Sequence, residues 1–170
     1  MPPVAQASLK PELNSTTHIH QIYIKAEPSV IWDHITTPEF SGKYGYSGIS
    51  HYELKPGGKF RCMASEKMRS YGLPELVIDG EVIEVNPPFK LVQTYRWLFN
   101  EAHKAEGFTR LSFEIEKTPG GFSRLTVTHD TAGAPMMDRA TKANFNLEGG
   151  GGWDWILSDL KSLLETGKTM

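Results

Sequence analysis

The stretch GGWDWILSDLKSLLETG, residues 151–167, decides the fold that this sequence predicts. Its apolar residues recur at the spacing of one helix face, and Asp159 falls with the polar residues on the other face. Trp155 lies outside the apolar stripe, so we expect it to face solvent or a partner. We therefore predict a long amphipathic helix that ends at Gly167. Its buried stripe consists of Trp153, Ile156, Leu157, Leu160, Leu163 and Leu164.

Four glycines, at 149–152, stand directly before Trp153. A phosphate-binding loop needs a strand before its glycines and Lys-Ser or Lys-Thr after them, whereas here ANFNLE precedes and Trp-Asp follows. Four glycines inside a helix would cost on the order of 3–4 kcal/mol relative to alanine. We therefore expect either a break in the helix or close contact with the sheet. Helical composition from about Asp138 onward leaves both outcomes open.

Strand-like segments dominate the chain before this helix. In one of them Leu111, Phe113 and Ile115 alternate with polar residues. Such alternation indicates an antiparallel sheet with one solvated face. The predicted strands cover 18–26, 49–55, 58–65, 76–86, 89–99, 108–118 and 122–130.

Shorter elements separate some of these strands. A helix is predicted over 27–36, where Pro28 suits the first turn. The segments 66–75 and 100–107 have no clear period and are interpreted as loops. An α+β fold results, in which one long helix covers the apolar face of the sheet.

The composition limits the classes of protein that this chain could be. A length of 170 residues and an apolar share of 39% fit one globular domain. A formal charge of −2 provides no basic field for nucleic acid, and no apolar stretch approaches the ~20 residues that membrane insertion needs. Cys62 is the only cysteine, which excludes an internal disulfide.

The N-terminal stretch MPPVAQASLKPELNSTT has the composition of a tail rather than of a signal peptide. It is rich in Pro, Ser and Thr, and it lacks the charged and apolar regions that a signal peptide combines. We therefore expect a mobile tail over 1–17, a single domain over 18–168, and a cytoplasmic location.

Four motifs occur in a characteristic order and spacing between residues ~20 and 167. They are IKAEPSVIWDHITTPE, LKPGGKF, GEVIEVNPPFKLVQTYRW and GGWDWILSDLKSLLETG. Together they resemble the Aha-type branch of the helix-grip superfamily (START-like, SRPBCC), which is named for the activator of the heat-shock-protein-90 ATPase. The resemblance implies a curved seven-stranded antiparallel sheet around a long C-terminal helix, with two short helices after the first strand.

The resemblance also implies a cavity between sheet and helix for an apolar or amphipathic small molecule. It does not imply one chemistry, because members of this superfamily bind, carry or transform very different ligands. The co-chaperone that gives the branch its name has a second domain that contacts the chaperone. Because this chain has no room for that domain, we do not expect chaperone contact, although a stress-response or chaperone-regulating role stays open.

Inward-facing aromatic residues are the candidates for a ligand site. Aromatics on the inner face of a curved sheet either line a cavity or fill the core. Tyr44, Tyr71 and Trp97 are the best candidates, because each joins a polar tip to an apolar body. The complete candidate set is Trp32, Tyr44, Phe60, Tyr71, Tyr95, Trp97, Phe113, His129 and Trp153.

Catalytic and metal-binding patterns are weak. His129 shares a strand face with apolar residues and is either a general base, a hydrogen-bond partner or a satisfied core histidine. His18 and His20 share a face, but zinc needs a third ligand and none is implied nearby. Cys62 alternates with apolar residues, so an inert buried thiol is expected. We assign no catalytic residue, metal or cofactor.

The leading hypothesis is binding of a small hydrophobic or amphipathic molecule in the cavity. One alternative is an enzyme of the cyclase or hydrolase kind that uses His129 or Tyr95 as acid or base. A second alternative is an interaction module, which predicts a large exposed apolar patch. The sequence leaves the ligand, a homodimer and any catalysed reaction open.

Overall fold

The structure, a computed structural model, describes residues 15–142 and 151–170. Seven antiparallel strands form one sheet in the order β1-β7-β6-β5-β4-β3-β2. This confirms the predicted seven-stranded sheet. The strands are β1 (Thr17–Ile24), β2 (Ile49–Tyr52), β3 (Lys59–Met63), β4 (Leu76–Asn86), β5 (Lys90–Trp97), β6 (Thr109–Lys117) and β7 (Ser123–Asp130).

Helices lie at the ends of the strands and across one face of the sheet. The two short helices expected after β1 are present, and the long C-terminal helix is α6. None of the helices in the described ranges has both the length and the apolarity that a membrane crossing needs. The helices are α1 (Pro28–Thr36), α2 (Pro38–Ser41), α3 (Glu66–Ser70), α4 (Glu101–Glu106), α5 (Pro135–Thr141) and α6 (Gly152–Thr166).

Two segments that were interpreted as loops contain the short helices α3 and α4. The side chain of Ser65 accepts a hydrogen bond from the backbone N–H of Met68 and caps α3. The side chain of Asn100 caps α4 in the same way, through the N–H of His103. These caps satisfy backbone donors that a first helical turn leaves unpaired, so even single-turn helices form here.

The main core lies between α6 and the sheet. Trp153, Leu157 and Leu160 of α6 are buried against residues of β5, β6 and β7, such as Leu111 and Leu125. Of the other residues in the stripe predicted from helical spacing, Ile156 and Leu164 pack against this core, and Leu163 is partly buried. Irregularities in the pairing of β3 with β4 and of β4 with β5 bend the sheet around this helix.

The helix α6 begins within the glycine run. Gly151 is its N-cap, and Gly152, its first residue, has a φ of 59°, which favours glycine. A Cβ on Gly151 would lie 2.5 Å from Cβ of Trp155, so close packing also requires glycine there. Gly149 and Gly150 lie outside the described residues, as do residues 143–148 of the helical stretch expected upstream. Residues 1–14 of the expected tail are likewise outside them.

Three short helices gather at one end of the sheet because of the strand order. β3, β5 and β7 are alternate strands of an antiparallel sheet, so they run in the same direction and end at the same edge. α3 follows β3, α4 follows β5 and α5 follows β7. This end of the sheet borders the cavity described next.

Candidate ligand-binding cavity

A cavity of about 900 Å³ lies between the sheet and α6. Its volume is within the roughly 300–1,000 Å³ of small-molecule sites. The strands β3, β5 and β6 contribute to its walls, together with α6, the loop that joins α2 to β2, and the helices α3 and α5. Its aromatic lining consists of Tyr44, Tyr46, Phe60, Tyr71, Tyr95, Trp97, Phe99, Phe113, Trp153 and Trp155.

Most of the candidate aromatics border this cavity, but Trp32 and His129 do not. Trp32 is buried in the main core, where its carbonyl accepts a hydrogen bond from Thr36. His129 has no solvent-exposed surface and lies behind Trp153 and Tyr95. The structure brings together Tyr44, Phe60, Tyr71, Tyr95, Trp97, Phe113 and Trp153.

The hydrogen bonds of His129 identify its tautomer. The indole N–H of Trp153 lies 3.1 Å from Nδ1, and because an indole only donates, Nδ1 must accept. The proton of the neutral ring is therefore on Nε2, which lies 2.8 Å from Oγ1 of Thr109. The Thr109 hydroxyl in turn donates to the carbonyl oxygen of Tyr95 at 2.8 Å. Both ring nitrogens thus have partners within the protein.

The environment of His129 keeps its ring neutral. Burial, which disfavours the imidazolium, and to a smaller extent the electrostatic effect of His18 lower the pKa of His129 to about 3. A residue that acts as a general base in catalysis near neutral pH needs a pKa close to that pH, and it must be able to reach the substrate. His129 has neither, and its geometry is that of a satisfied core histidine.

The tyrosines of the cavity wall already have hydrogen-bond partners. Tyr44 donates to the carbonyl oxygen of His34 at 3.1 Å, and the side chain of Tyr95 is hydrogen-bonded to that of Trp97. Burial raises the pKa of both phenols above the usual range. Tyr71 differs, because 77% of it is exposed and it lies at the mouth. The inner wall is therefore neutral and largely apolar.

Trp155 and Asp159 differ from the sequence predictions. Trp155 is partly buried and borders the cavity, instead of facing away from it. Asp159 was placed on the polar face of the helix, yet it is only 5% exposed. Its carboxylate accepts hydrogen bonds from the backbone N–H of Gly45 at 2.8 Å and of Met170 at 2.7 Å. The helix pattern missed both roles because they depend on segments remote in sequence.

The loop that joins α2 to β2 forms one wall of the cavity and is held to α6 at two points. Gly45 binds Asp159, and the hydroxyl of Tyr46 accepts a hydrogen bond from the N–H of Gly152 at 3.2 Å. Gly45 has a φ of 62°, and a Cβ there would touch Ile156 at 3.4 Å. The loop therefore packs directly on the helix.

His18 and His20 each bind a separate carboxylate. Nε2 of His18 lies 2.7 Å from Asp138, and Nδ1 of His20 lies 2.7 Å from Asp154. Within residues 15–142 and 151–170, no group of three or more His, Cys, Asp or Glu side chains is arranged to hold a metal ion. These histidines connect β1 to α5 and to the first turn of α6.

Cys62 borders the cavity as a buried thiol. Burial disfavours the thiolate and raises the pKa of Cys62 to about 11, while a hydrogen bond with Ser50 acts in the opposite direction. The thiol is therefore protonated at neutral pH.

A second concavity, of about 520 Å³, lies over the pairing of β3 with β4. Charged side chains of Lys59, Arg61, Asp79 and Glu81 contribute to its lining. The cavity beside α6 is larger and much richer in aromatic residues, so it is the better candidate for a small-molecule site.

The sequence was compared with models of protein families and with curated proteins. A family model described as "Activator of Hsp90 ATPase homolog 1-like protein" matches residues 25–165. No curated protein matches the chain in sequence.

Solved structures with the same fold come from several organisms. A protein from Bordetella parapertussis, BPP1335, has a TM-score of 0.65 and 16% identity, over 94% of this chain and 79% of that one. The Aha1 dimer from Colwellia psychrerythraea has a TM-score of 0.57 and 20% identity, over 89% and 98%. PFC0360w, an HSP90 activator from Plasmodium falciparum, has a TM-score of 0.51 and 19% identity, over 68% and 72%. At these identities the likeness concerns the fold alone.

Proposed function

We propose that this chain, which belongs to the Activator of Hsp90 ATPase homolog 1-like family, binds a small hydrophobic or amphipathic molecule in its internal cavity. The observation that carries the proposal is the cavity of about 900 Å³ with its aromatic lining. Apolar surface that a ligand covers is removed from water, and this stabilises the complex in proportion to the area covered.

The polar groups of the cavity wall also favour binding over acid–base catalysis. Of the two residues considered for proton transfer, His129 lies outside the cavity lining, and burial raises the pKa of Tyr95 above its usual range. A neutral phenol that is already hydrogen-bonded to Trp97 is suited to fix the orientation of a ligand. The expectation that the chain does not contact a chaperone rests on the sequence alone, and a homodimer stays open.

Uptake of the neutral dye Nile red tests the proposal. Dye fluorescence should rise and saturate when the purified protein is titrated, because the dye enters an apolar site. In Ala140→Phe, the added ring is placed in the lining contributed by α5 and should reduce uptake strongly.

The matched control is Ala102→Phe, an exposed position of α4 outside the cavity lining. It makes the same substitution on another short helix and should bind the dye as the wild type does. If the wild type takes up no dye, or if both variants behave alike, binding in this cavity is disproved.

A further inference from the structure

The cavity mouth has an uneven charge distribution. Lys67 of α3 and Arg139 of α5 border the cavity, and both residues are exposed. Among the described residues of the lining there is no Asp or Glu. Because α3 and α5 follow parallel strands, these two cationic residues come from helices at the same end of the sheet.

Lys67 is not neutralised by a described carboxylate. It takes part in none of the ion pairs formed within the described ranges. Its chain neighbour Glu66 is exposed and does not border the cavity. The ammonium group of Lys67 is therefore available to an anion at the mouth.

Two carboxylates at this end, Glu106 of α4 and Asp138 of α5, bind other groups. Glu106 accepts hydrogen bonds from the backbone N–H groups of Met136 and Met137, at 2.7 and 3.3 Å. Asp138 contacts Lys142 at 2.8 Å and His18 at 2.7 Å. Neither Glu106 nor Asp138 borders the cavity, so neither carboxylate lies in the described lining with Lys67.

The interior has the opposite character. The aromatic rings of Phe60, Phe113 and Trp153 line it, and the phenols of Tyr44 and Tyr95 are neutral and hydrogen-bonded. A charged group would lose its hydration there without a compensating partner. An apolar segment is suited to the interior, and a charged group is suited only to the mouth.

We infer that the ligand is an anionic amphiphile, whose apolar part lies among the aromatics and whose carboxylate or similar acid group lies at the mouth near Lys67. This inference rests on the proposed function and names its ligand class. The ammonium group of a lysine forms charge-assisted hydrogen bonds with carboxylates. Because the mouth is solvated, the attraction should be modest and should weaken with salt.

Competition between three probes of equal chain length tests this inference. Decanoic acid, decanol and decylamine would each displace Nile red from the protein at neutral pH and low salt. We expect decanoic acid to bind more tightly than decanol, and decylamine to bind least tightly. Lys67→Met should lower the affinity for decanoic acid by about 2- to 5-fold and leave the affinity for decanol unchanged.

The control is Lys104→Met, which removes one positive charge from α4 at the same end of the sheet but outside the lining. This variant should leave the affinities for decanoic acid and for decanol unchanged. If decanoic acid and decanol bind equally well, or if Lys67→Met and Lys104→Met have equal effects, the anionic ligand class is wrong while cavity binding stands. If none of the probes displaces the dye and the dye itself does not bind, cavity binding fails as well.

Discussion

The indole nitrogen of Trp153 donates a hydrogen bond to Nδ1 of His129 across 3.1 Å. The bond joins the first turn of α6 to the end of β7, and both side chains are buried. Trp153 also borders the cavity, so the histidine positions one of its aromatic walls from behind. His129 therefore supports the cavity without entering it.

Replacing His129 by phenylalanine should destabilise the fold. The Trp153 N–H would lose its acceptor while buried, which costs about 1–3 kcal/mol. Urea denaturation measures this change. His51→Phe, at an exposed position of β2, should change the free energy of unfolding by less than ~0.5 kcal/mol.

A double variant separates the hydrogen bond from the packing. His129→Phe combined with Trp153→Phe removes donor and acceptor together, so the two losses should not add. If they add fully, the bond contributes no coupling between these residues.

Acid should destabilise the protein through His129. Its pKa is about 3 in the folded state and about 6.5 when unfolded, so below pH 6.5 the unfolded state binds the extra proton. The stability contributed by the neutral ring is complete above pH 6.5. It decreases by about 1.4 kcal/mol per pH unit as the pH falls from there toward 3.

Urea denaturation at several pH values between 6.5 and 4.5 measures this slope. His129→Phe lacks the titrating ring and should have a much smaller slope in this window. Equal slopes for the two proteins would show that the effect comes from other groups.

Removal of the Asp159 carboxylate should loosen the wall formed by the α2–β2 loop. In Asp159→Ala the N–H groups of Gly45 and Met170 lose their acceptor, which should cost about 1–3 kcal/mol. Hydrogen exchange at the Gly45 amide should become faster. Asp154→Ala, on the same helix, removes a carboxylate whose side chain is 67% exposed, and should cost less than ~1 kcal/mol. Similar effects of the two variants would contradict this role of Asp159.

Alkylation of Cys62 should be slow in the folded protein. Its pKa of about 11 reduces the thiolate fraction roughly 100-fold or more relative to an ordinary thiol of pKa ~8.5. The rate of reaction with iodoacetamide at pH 8 measures the reactivity of this thiol. Because Cys62 is the only cysteine in the sequence, the measured thiol alkylation comes from it alone. The same reaction in urea is the control. A folded rate as fast as the unfolded one would contradict the burial of this thiol.

The long, regular elements could be predicted from the sequence. The strand predicted over 76–86 has the observed bounds Leu76–Asn86, and the helix stripe that begins at Trp153 supplies the buried residues Trp153, Leu157 and Leu160. In these elements many successive residues repeat one pattern, so the period identifies both the element and its buried face.

The single-turn helices α3 and α4 were missed because they are too short to show a period. α3 and α4 have 5 and 6 residues, and both were interpreted as loops. Their signal is the cap: Ser65 before Glu66, and Asn100 before Glu101. Attention to such capping residues could have found them, and with them Lys67 at the cavity mouth.

The sequence by itself determined the order of the strands and the long helix, the antiparallel sheet and the helix that covers it. Only the tertiary structure decided that Asp159 is buried, that Trp155 borders the cavity and that His129 does not. The physical reason is distance along the chain. Gly45 and Asp159 are 114 positions apart, and Trp153 and His129 are 24 apart. A residue's own neighbours in sequence establish which face it occupies, whereas its partners across the fold decide whether that face is filled, hydrogen-bonded or left open to a ligand.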